Sequence, residues 1–508
     1  MISLLLGLIA CQHPVTPQGG GTEPRPGHLV IAHTNDLHAH YGPNRADWLE
    51  GAPDIGGFGA IGGHVAALHK EHGDDSVLVL DGGDVMTGTP LMEFEVRGAR
   101  GGAMLDLMET AGMDAWVLGN HEFDIGLDHI SNIVRASQIP VLSANLDAPD
   151  GSGAPAIMGV QDHSIFERNG LRIGVFGLTT TSLGRLTASG AASGMHVREL
   201  AEVAREQVAL LEPQVDLVVA LTHVGLEEDK QLADEVEGID LIVGGHSHTS
   251  LTEPVRVDDT WIVQAGCYAR QLGVVELSVS SGRIVRFESE LRDLLPESGP
   301  IHPESARLER TWSERVASHF GTVVGRVDGG PLSREYGSES SLGRWAADTV
   351  RLAAEADIGL YNPGGLRADI VDGPVTRGAL YNVFPFGNSV VVFEVTGEQI
   401  VGLLLRNARA ELAQDHPVMQ LAGLRATWRV RTEVPELVEV EVGGEPLLLD
   451  ASYTLATNSY IAGQWRYNLG FEPQDVTQLE QTIFQAAMAR VEEGPVVPPT
   501  DRRMRRIE

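Results

Sequence analysis

Gly119-Asn120-His121-Glu122-Phe123-Asp124 follows directly on the apolar run Trp116-Val117-Leu118. That run reads as a short buried strand, so the polar hexapeptide sits at the strand's carboxyl end, where open α/β sheets gather their ligands. Asn120 offers an amide oxygen to a cation. His121 and Asp124 suit an acid/base pair in which the carboxylate orients the ring and supports its charge.

Working outward, four more clusters end apolar runs in the same way. Leu29-Val30-Ile31-Ala32 leads into His33-Thr34-Asn35-Asp36-Leu37-His38. Period-two alternation of an extended segment would put Asp36 and His38 on one side, converging on one ion. Val77-Leu78-Val79-Leu80 runs into Asp81-Gly82-Gly83-Asp84, whose glycines permit a tight turn that returns Asp84 over the strand end, where a carboxylate can bridge two metals. The run 215–221 precedes Thr222-His223, and the run 239–243 precedes Gly244-Gly245-His246-Ser247-His248, where alternate residues again present ring nitrogens toward one place. Five such clusters, all at strand ends, point to a metal site rather than to packing.

The chain has 508 residues, enough for two or three domains. Seventy acidic residues against 37 basic give a formal charge of −33, which argues against nucleic acid as a general partner. An anionic small substrate would need local positive charge, and bound divalent metal can supply it. Residues 1–10 are apolar but too few to span a bilayer. Leu8-Ile9-Ala10-Cys11 resembles a bacterial lipobox, which predicts an exported chain, periplasmic or at the cell surface, lipid-anchored at Cys11, although no Lys or Arg precedes the apolar run. The stretch 12–27, rich in Pro and Gly, reads as a flexible tether. Cys267 is expected to be a buried small residue.

The first domain is expected over 28–298, closed by a hairpin over 273–287 turning at Ser281-Gly282. Pro303 opens a helical stretch with Leu308, Trp312, Val316 and Phe320 spaced four apart, a linker over 299–321. The second domain, 322–508, carries Asn362-Pro363-Gly364-Gly365-Leu366-Arg367 and Pro385-Phe386-Gly387-Asn388. The glycine pair lets an anion approach the backbone with the Arg367 guanidinium as a fork, and Phe386 could face a planar base or sugar. Asn458-Ser459-Tyr460 could add an aromatic platform, while Arg502, Arg503, Arg505 and Arg506 read as a solvated tail.

The motifs HTNDLH, DGGD, GNHEFD, THVG and GGHSH, followed by NPGGLRAD and PFGN, resemble the two-domain 5′-nucleotidase family. The resemblance implies an α/β fold: a four-layer calcineurin-like metallophosphoesterase sandwich, then a smaller α/β substrate-binding domain on a helical hinge. It implies that Asp36, His38 and His248 hold one metal, that Asn120, His223 and His246 hold the other, and that Asp84 bridges. His121 with Asp124 matches the catalytic dyad. Asn362, Arg367, Phe386, Asn388 and Tyr460 match substrate-side positions. Where many relatives carry a Gly-Gly-Asp-Gly turn that holds ribose, this chain has Gly463-Gln464-Trp465-Arg466-Tyr467. For a further phosphate-binding arginine, Arg334 and Arg344 are both candidates.

The expected activity is dimetal-dependent hydrolysis of a phosphoester in a nucleotide or related small phosphate, with Zn²⁺ and Mn²⁺ both compatible with the mixed ligand set. A 2′,3′-cyclic-nucleotide phosphodiesterase with 3′-nucleotidase activity, or a UDP-sugar hydrolase, would share the metal clusters. A thiosulfohydrolase ranks lower because Arg367 and the aromatic pair are present. A catalytically silent surface binding protein ranks lower because the dyad and all seven ligand positions are intact.

Overall fold

The computed structural model describes residues 27–46, 48–148, 156–186, 195–413 and 417–508. Cys11 and most of the tether lie outside the described residues. No helix among the described residues is long and apolar enough to cross a membrane.

Two six-stranded sheets form the first half. One runs in the order Arg283–Asp293, Gln271–Ser280, Gly27–Thr34, Val77–Asp81, Ala115–Val117, Val141–Leu142. The other runs His163–Arg168, Leu171–Thr179, Leu217–His223, Leu241–Val243, Thr260–Val263, Val255–Val257. Their central strands are parallel. Alternation sorts the side chains: Leu29, Ile31, Leu78, Leu80, Val175 and Val219 fill the space between the sheets. Val30, Ala32, Val77 and Val79 face helices Phe58–His72 and Ala103–Ala111 on the outer side. Helices Leu200–Leu211 and Leu226–Glu235 cover the far face of the second sheet. Helix, sheet, sheet, helix is the expected four-layer sandwich.

Because parallel strands share one direction, their carboxyl ends lie along one rim, and the polar clusters of the sequence fall there. Most strand ends differ from expectation by a residue or two, although the hairpin runs from Gln271 to Asp293 rather than over 273–287, and one shift matters. Leu217–His223 includes His223 itself, so that ring leaves the sheet from a strand position paired on one side, opposite Thr179. The hairpin turns at Ser281-Gly282, both with positive φ of 52° and 70°, the two-residue turn that matches strand twist.

Helix Pro303–Phe320 forms over the whole expected stretch, with Pro303 in its first turn and the His302 ring accepting from the Ser305 N–H. It does not stand free between the halves. Glu309 accepts a hydrogen bond from the Gly59 N–H at 2.8 Å, and Trp312 is buried in the first core.

The second half has a five-stranded sheet ordered Gln420–Ala422, Ile358–Tyr361, Ser452–Asn458, Ser389–Thr396, Thr477–Thr482. A separate four-stranded sheet contains Glu445–Pro446, Val434–Val442, Leu424–Arg431 and Met504–Arg506. The arginine tail is therefore not a solvated tail throughout. Met504–Arg506 pairs parallel with Leu424–Arg431, and Arg503 is buried, donating to the Leu421 and Arg344 carbonyls and to Asp348 at 2.7 Å. Those acceptors are what allow the guanidinium to leave water.

Candidate active site

All seven predicted ligands meet at the rim, but not by the route alternation suggested. Asp36 and His38 lie beyond the end of their strand with φ of 52° and 49°, and Asp84, His246 and His248 have φ of 53°, 75° and 54°. Five of the seven ligand positions thus adopt left-handed backbone without being glycine, a conformation that costs energy and concentrates at functional sites. A ladder of loop hydrogen bonds holds them there. Asp36 N–H donates to the Gly83 carbonyl and His38 N–H to the Asp84 carbonyl, each at 2.8 Å. Asn35 donates to Asp36 Oδ2 at 2.7 Å and to the Gly266 carbonyl, and it accepts from the Ala265 N–H.

The side chains form two clusters, Asp36–His38–His248 and Asp84–His223–His246, and a third group, His38–Asp84–His121, links both to His121. His248 Nε2 stands 3.2 Å from Asp36 Oδ1 and 3.0 Å from His38 Nε2. His223 Nε2 stands 3.1 Å from Asp84 Oδ2, and the same oxygen is 3.8 Å from His38 Nε2. Asp84 therefore faces both clusters. His223 Nδ1 pairs with the Gly82 carbonyl at 2.7 Å and His38 Nδ1 with the Thr87 carbonyl at 3.2 Å, which aims both Nε2 atoms inward.

Burial opposes charge on these histidines, and the carboxylates decide which of them overcome it. His223 is depressed by burial but raised further by Asp84, to about 10. His246 is lowered by burial to about 4, and His38 is likewise held well below its ordinary value. Burial pushes the Asp84 carboxyl up, but His223 and His121 outweigh it and hold the group well below the carboxylate range.

The donor set fits two cations. Asn120 Oδ1 and His246 Nδ1 are buried and make no hydrogen bond among the described residues, and the buried Asp36 Oδ1 and His223 Nε2 have only His248, His38 and Asp84 of the same clusters beside them. Buried polar atoms left short of partners are costly, and these four are a carboxylate oxygen, an amide oxygen and two ring nitrogens, the donors a borderline divalent ion accepts.

Beside the clusters, His121 Nδ1 meets Asp124 Oδ2 at 2.8 Å. Burial lowers the His121 imidazole, but Asp124 and Asp84 more than compensate, so its pKa is raised. Its backbone N–H donates to Asp84 Oδ1 at 2.8 Å, tying dyad to cluster. Glu122, between the dyad residues, carries a role that residue spacing did not signal. Its buried carboxylate accepts from the N–H groups of Gly119 at 2.7 Å, Met86 at 3.0 Å and Asp84 at 3.2 Å, joining two of the loops.

The second half closes over this rim. Arg367 Nη2 lies 3.5 Å from His38 Nε2, and Phe386 stacks on His121 with centroids 5.6 Å apart and planes at 26°. Asn362, Arg367, Phe386, Asn388 and Tyr460 all line one cavity of about 1260 Å³ shared with Asp84, Asn120 and His121. Asn362 Oδ1 accepts from Asn458 and Asn388 Oδ1 from Ser459, so both amides are oriented by neighbours. Neither Arg334 nor Arg344 reaches the cavity. Arg334 binds the Leu366 carbonyl and lies by Asp369, and Arg344 is buried, donating to the Pro499 carbonyl. The cavity's other arginines are Arg100 and Arg377, which no motif marked. At the altered turn, Arg466 stacks on Trp465 outside the cavity and Gln464 donates to the Gly184 carbonyl across the two halves at 2.6 Å. Cys267 is half-buried rather than fully buried, with its thiol beside His248.

Two family profiles cover these two halves: calcineurin-like phosphoesterase over residues 29–250, and 5′-nucleotidase, C-terminal domain, over residues 323–468. The chain belongs to the two-domain 5′-nucleotidase family. A 5′-nucleotidase precursor of Thermus thermophilus has a similar crystal structure, with a TM-score of 0.81 at 27% identity, covering 95% of this chain and 99% of that one. The 5′-nucleotidase of Diplobatis ommata is 27% identical over 86% of this chain and 82% of its own length. The trifunctional nucleotide phosphoesterase YfkN of Bacillus subtilis is 27% identical over 94% of this chain, which spans only 35% of that longer protein. This 5′-nucleotidase-family chain is a phosphoester hydrolase whose fold class works with two metal ions.

Proposed function

We propose that this chain hydrolyses the phosphoester of a nucleotide, releasing inorganic phosphate at a two-metal centre. The observation that carries the reading is Asp84: one oxygen faces both histidine clusters while the other accepts the His121 N–H, so ligands and dyad are built around one carboxylate. In this reading Asp36, His38 and His248 would hold one ion, Asn120, His223 and His246 would hold the other, and Asp84 would serve both. Bound cations would neutralise phosphate oxygens and acidify the attacking water, and Zn²⁺ or Mn²⁺ suits the donors.

The protein's own groups do the rest. Arg367, beside His38, forks onto the phosphate oxygens and sets the phosphoryl group against the rim. His121, raised in pKa and held by Asp124 through Nδ1, directs Nε2–H at the charge that develops on the phosphoryl or leaving oxygen. Phe386 covers the imidazole face and excludes water there, and Tyr460 supplies a second wall for a base. Asn362 and Asn388 fix orientation through their oriented amides.

The units proposed are a catalytic domain over 28–298, a helical linker over 299–321 and a substrate domain over 322–508, with rotation of the last delivering substrate. Export and a lipid anchor at Cys11, placing the enzyme in the periplasm or at the cell surface, complete the reading.

A second reading concerns substrate size. A cavity of about 1260 Å³ exceeds the 300–1000 Å³ or so usual for small ligands, and the altered turn has no carboxylate, with Arg466, near which one was expected, outside the cavity. Both features favour a nucleotide carrying a further group, such as a nucleoside diphosphate sugar. Phosphate release from nucleoside monophosphates, cyclic nucleotides, UDP-glucose and an aryl phosphate, with Mn²⁺ and after chelation, tests both readings. Activity that survives exhaustive chelation would sink the dimetal mechanism. Turnover of the aryl phosphate with none of the nucleotides would remove the nucleotide assignment.

A further inference from the structure

We propose that His28, His72 and Glu276 form an additional divalent-metal site of zinc type, at the opposite end of the first sheet from the rim. One ligand atom from each lies within 4.8 Å of the others. His28 Nε2 is 3.0 Å from His72 Nδ1, and His72 Nε2 is 3.9 Å from Glu276 Oε1. Those two spacings involve the two different nitrogens of His72, of which one ion would take one, so the measure of the site is the grouping of three donor atoms within 4.8 Å, against roughly 3.4 Å for donors at tetrahedral angles on a shell of about 2.1 Å.

Three features of the fold bring these residues together. His28 has the same parity as Val30 and Ala32, and Glu276 the same parity as Leu272 and Val274, so both belong to the sheet face that helix Phe58–His72 covers. The strands pair antiparallel with Val30 opposite Glu276 and His28 opposite Ser278, which leaves His28 and Glu276 on a diagonal. The helix ends on His72 at that diagonal, and its last carbonyls favour a cation there. Asn169 donates to the His28 carbonyl at 3.0 Å and steadies the strand's start.

Glu276 is available to a metal. Its cross-strand neighbour Glu288 is matched by Arg286, whose charge also acts on Glu276, but no Lys or Arg among the described residues lies within ion-pair distance of Glu276. His72 is 13% exposed and Glu276 35%, so the site is sheltered yet reachable. Two imidazoles and a carboxylate are a zinc ligand set that leaves a fourth position for water. Along the strand, His28 and Thr34 are separated by about 20 Å at roughly 3.3 Å per residue, and Asp36 lies beyond that end, so an ion here cannot share the rim's ligands. Its effect would be to clip the strand that follows residue 26 to the end of the covering helix.

The test is zinc stoichiometry of the full chain, stripped with dipicolinate, titrated with zinc chloride and counted per chain by mass spectrometry after gel filtration. His72→Ala and His28→Asn should each bind one equivalent fewer than the wild type while turning over substrate at the same rate. Equal zinc content in all three would overturn the proposal and leave a plain histidine–histidine hydrogen bond. Should His72→Ala fail to fold, His28→Asn at the strand's start decides alone. The difference between chains does not depend on the dimetal reading: if that reading failed, the baseline would drop but the one-equivalent gap would persist.

Discussion

The phenyl ring of Phe386 lies on the imidazole of His121, 5.6 Å between centroids and 26° between planes, although 265 positions separate the two residues in the chain. One side of the His121–Asp124 pair is thus closed by the half of the protein that carries Arg367, and in the proposed function this one aromatic contact would couple substrate binding to acid/base chemistry.

His121→Ala is expected to keep its metal content and lose about 10² or more in kcat, the range for removing a general acid or charge stabiliser. Phe386→Ala should instead raise KM by about tenfold with a smaller fall in kcat, because it removes a wall and not the proton donor. Steady-state kinetics beside elemental analysis separates the two. Equal kcat losses would mean that Phe386 acts only by holding His121.

Gly83→Ala is expected to dismantle the centre. Gly83 has φ of +88°, and a Cβ there would sit 2.8 Å from the Val117 carbonyl and 2.9 Å from His223 Nδ1. Backbone strain and displacement of His223 together should cost about 2 kcal/mol or more in stability and most of the bound metal. Denaturant unfolding with metal analysis checks this, and a variant with full metal content would refute it.

Tyr381→Phe tests how the halves close. The Tyr381 hydroxyl donates to Glu93 across the interface at 2.7 Å, and Glu93 is also held by Arg100. Losing one hydrogen bond of about 1 kcal/mol should shift the open and closed populations by roughly fivefold and raise KM, with little change in thermal midpoint. Small-angle scattering would show the expected expansion, and an unchanged profile with unchanged KM would remove the contact from the closing motion.

Asp240 sets a pH dependence away from the site. Burial lifts its carboxyl to about 6, against the hydrogen bond it accepts from Val218 at 2.8 Å. The folded pKa is above the unfolded value of about 3.9, so the folded chain holds the extra proton. The stability this provides is full below about pH 4 and is lost as pH rises through 6. Between pH 5 and pH 8 the wild type should lose about 1 kcal/mol that Asp240→Asn does not. Urea midpoints at the two pH values measure it, and parallel losses in both proteins would exclude Asp240 as the cause.

Much of the fold was legible because buried parallel strands are short apolar runs and the polar residues that end them must share one rim. Asp36, Asp84, Asn120, His223 and His246 were readable as ligand-type residues for that reason. The arginines were not. Arg334, Arg344 and Arg503 look alike in sequence, yet one lies at the surface by Asp369, while the others are buried against carbonyls, with Asp348 also beside Arg503.

Composition and local pattern alone determined the alternating α/β architecture, the two halves and the residue types that could hold metal, since these follow from apolar periodicity and side-chain chemistry. Only the tertiary structure decided how the candidate ligands converge, through left-handed loops locked by Asn35, Glu122 and the glycine carbonyls rather than by strand alternation. It also set Phe386 on His121 and Arg367 beside His38. Such contacts join residues hundreds of positions apart, and no local propensity encodes which distant surfaces meet.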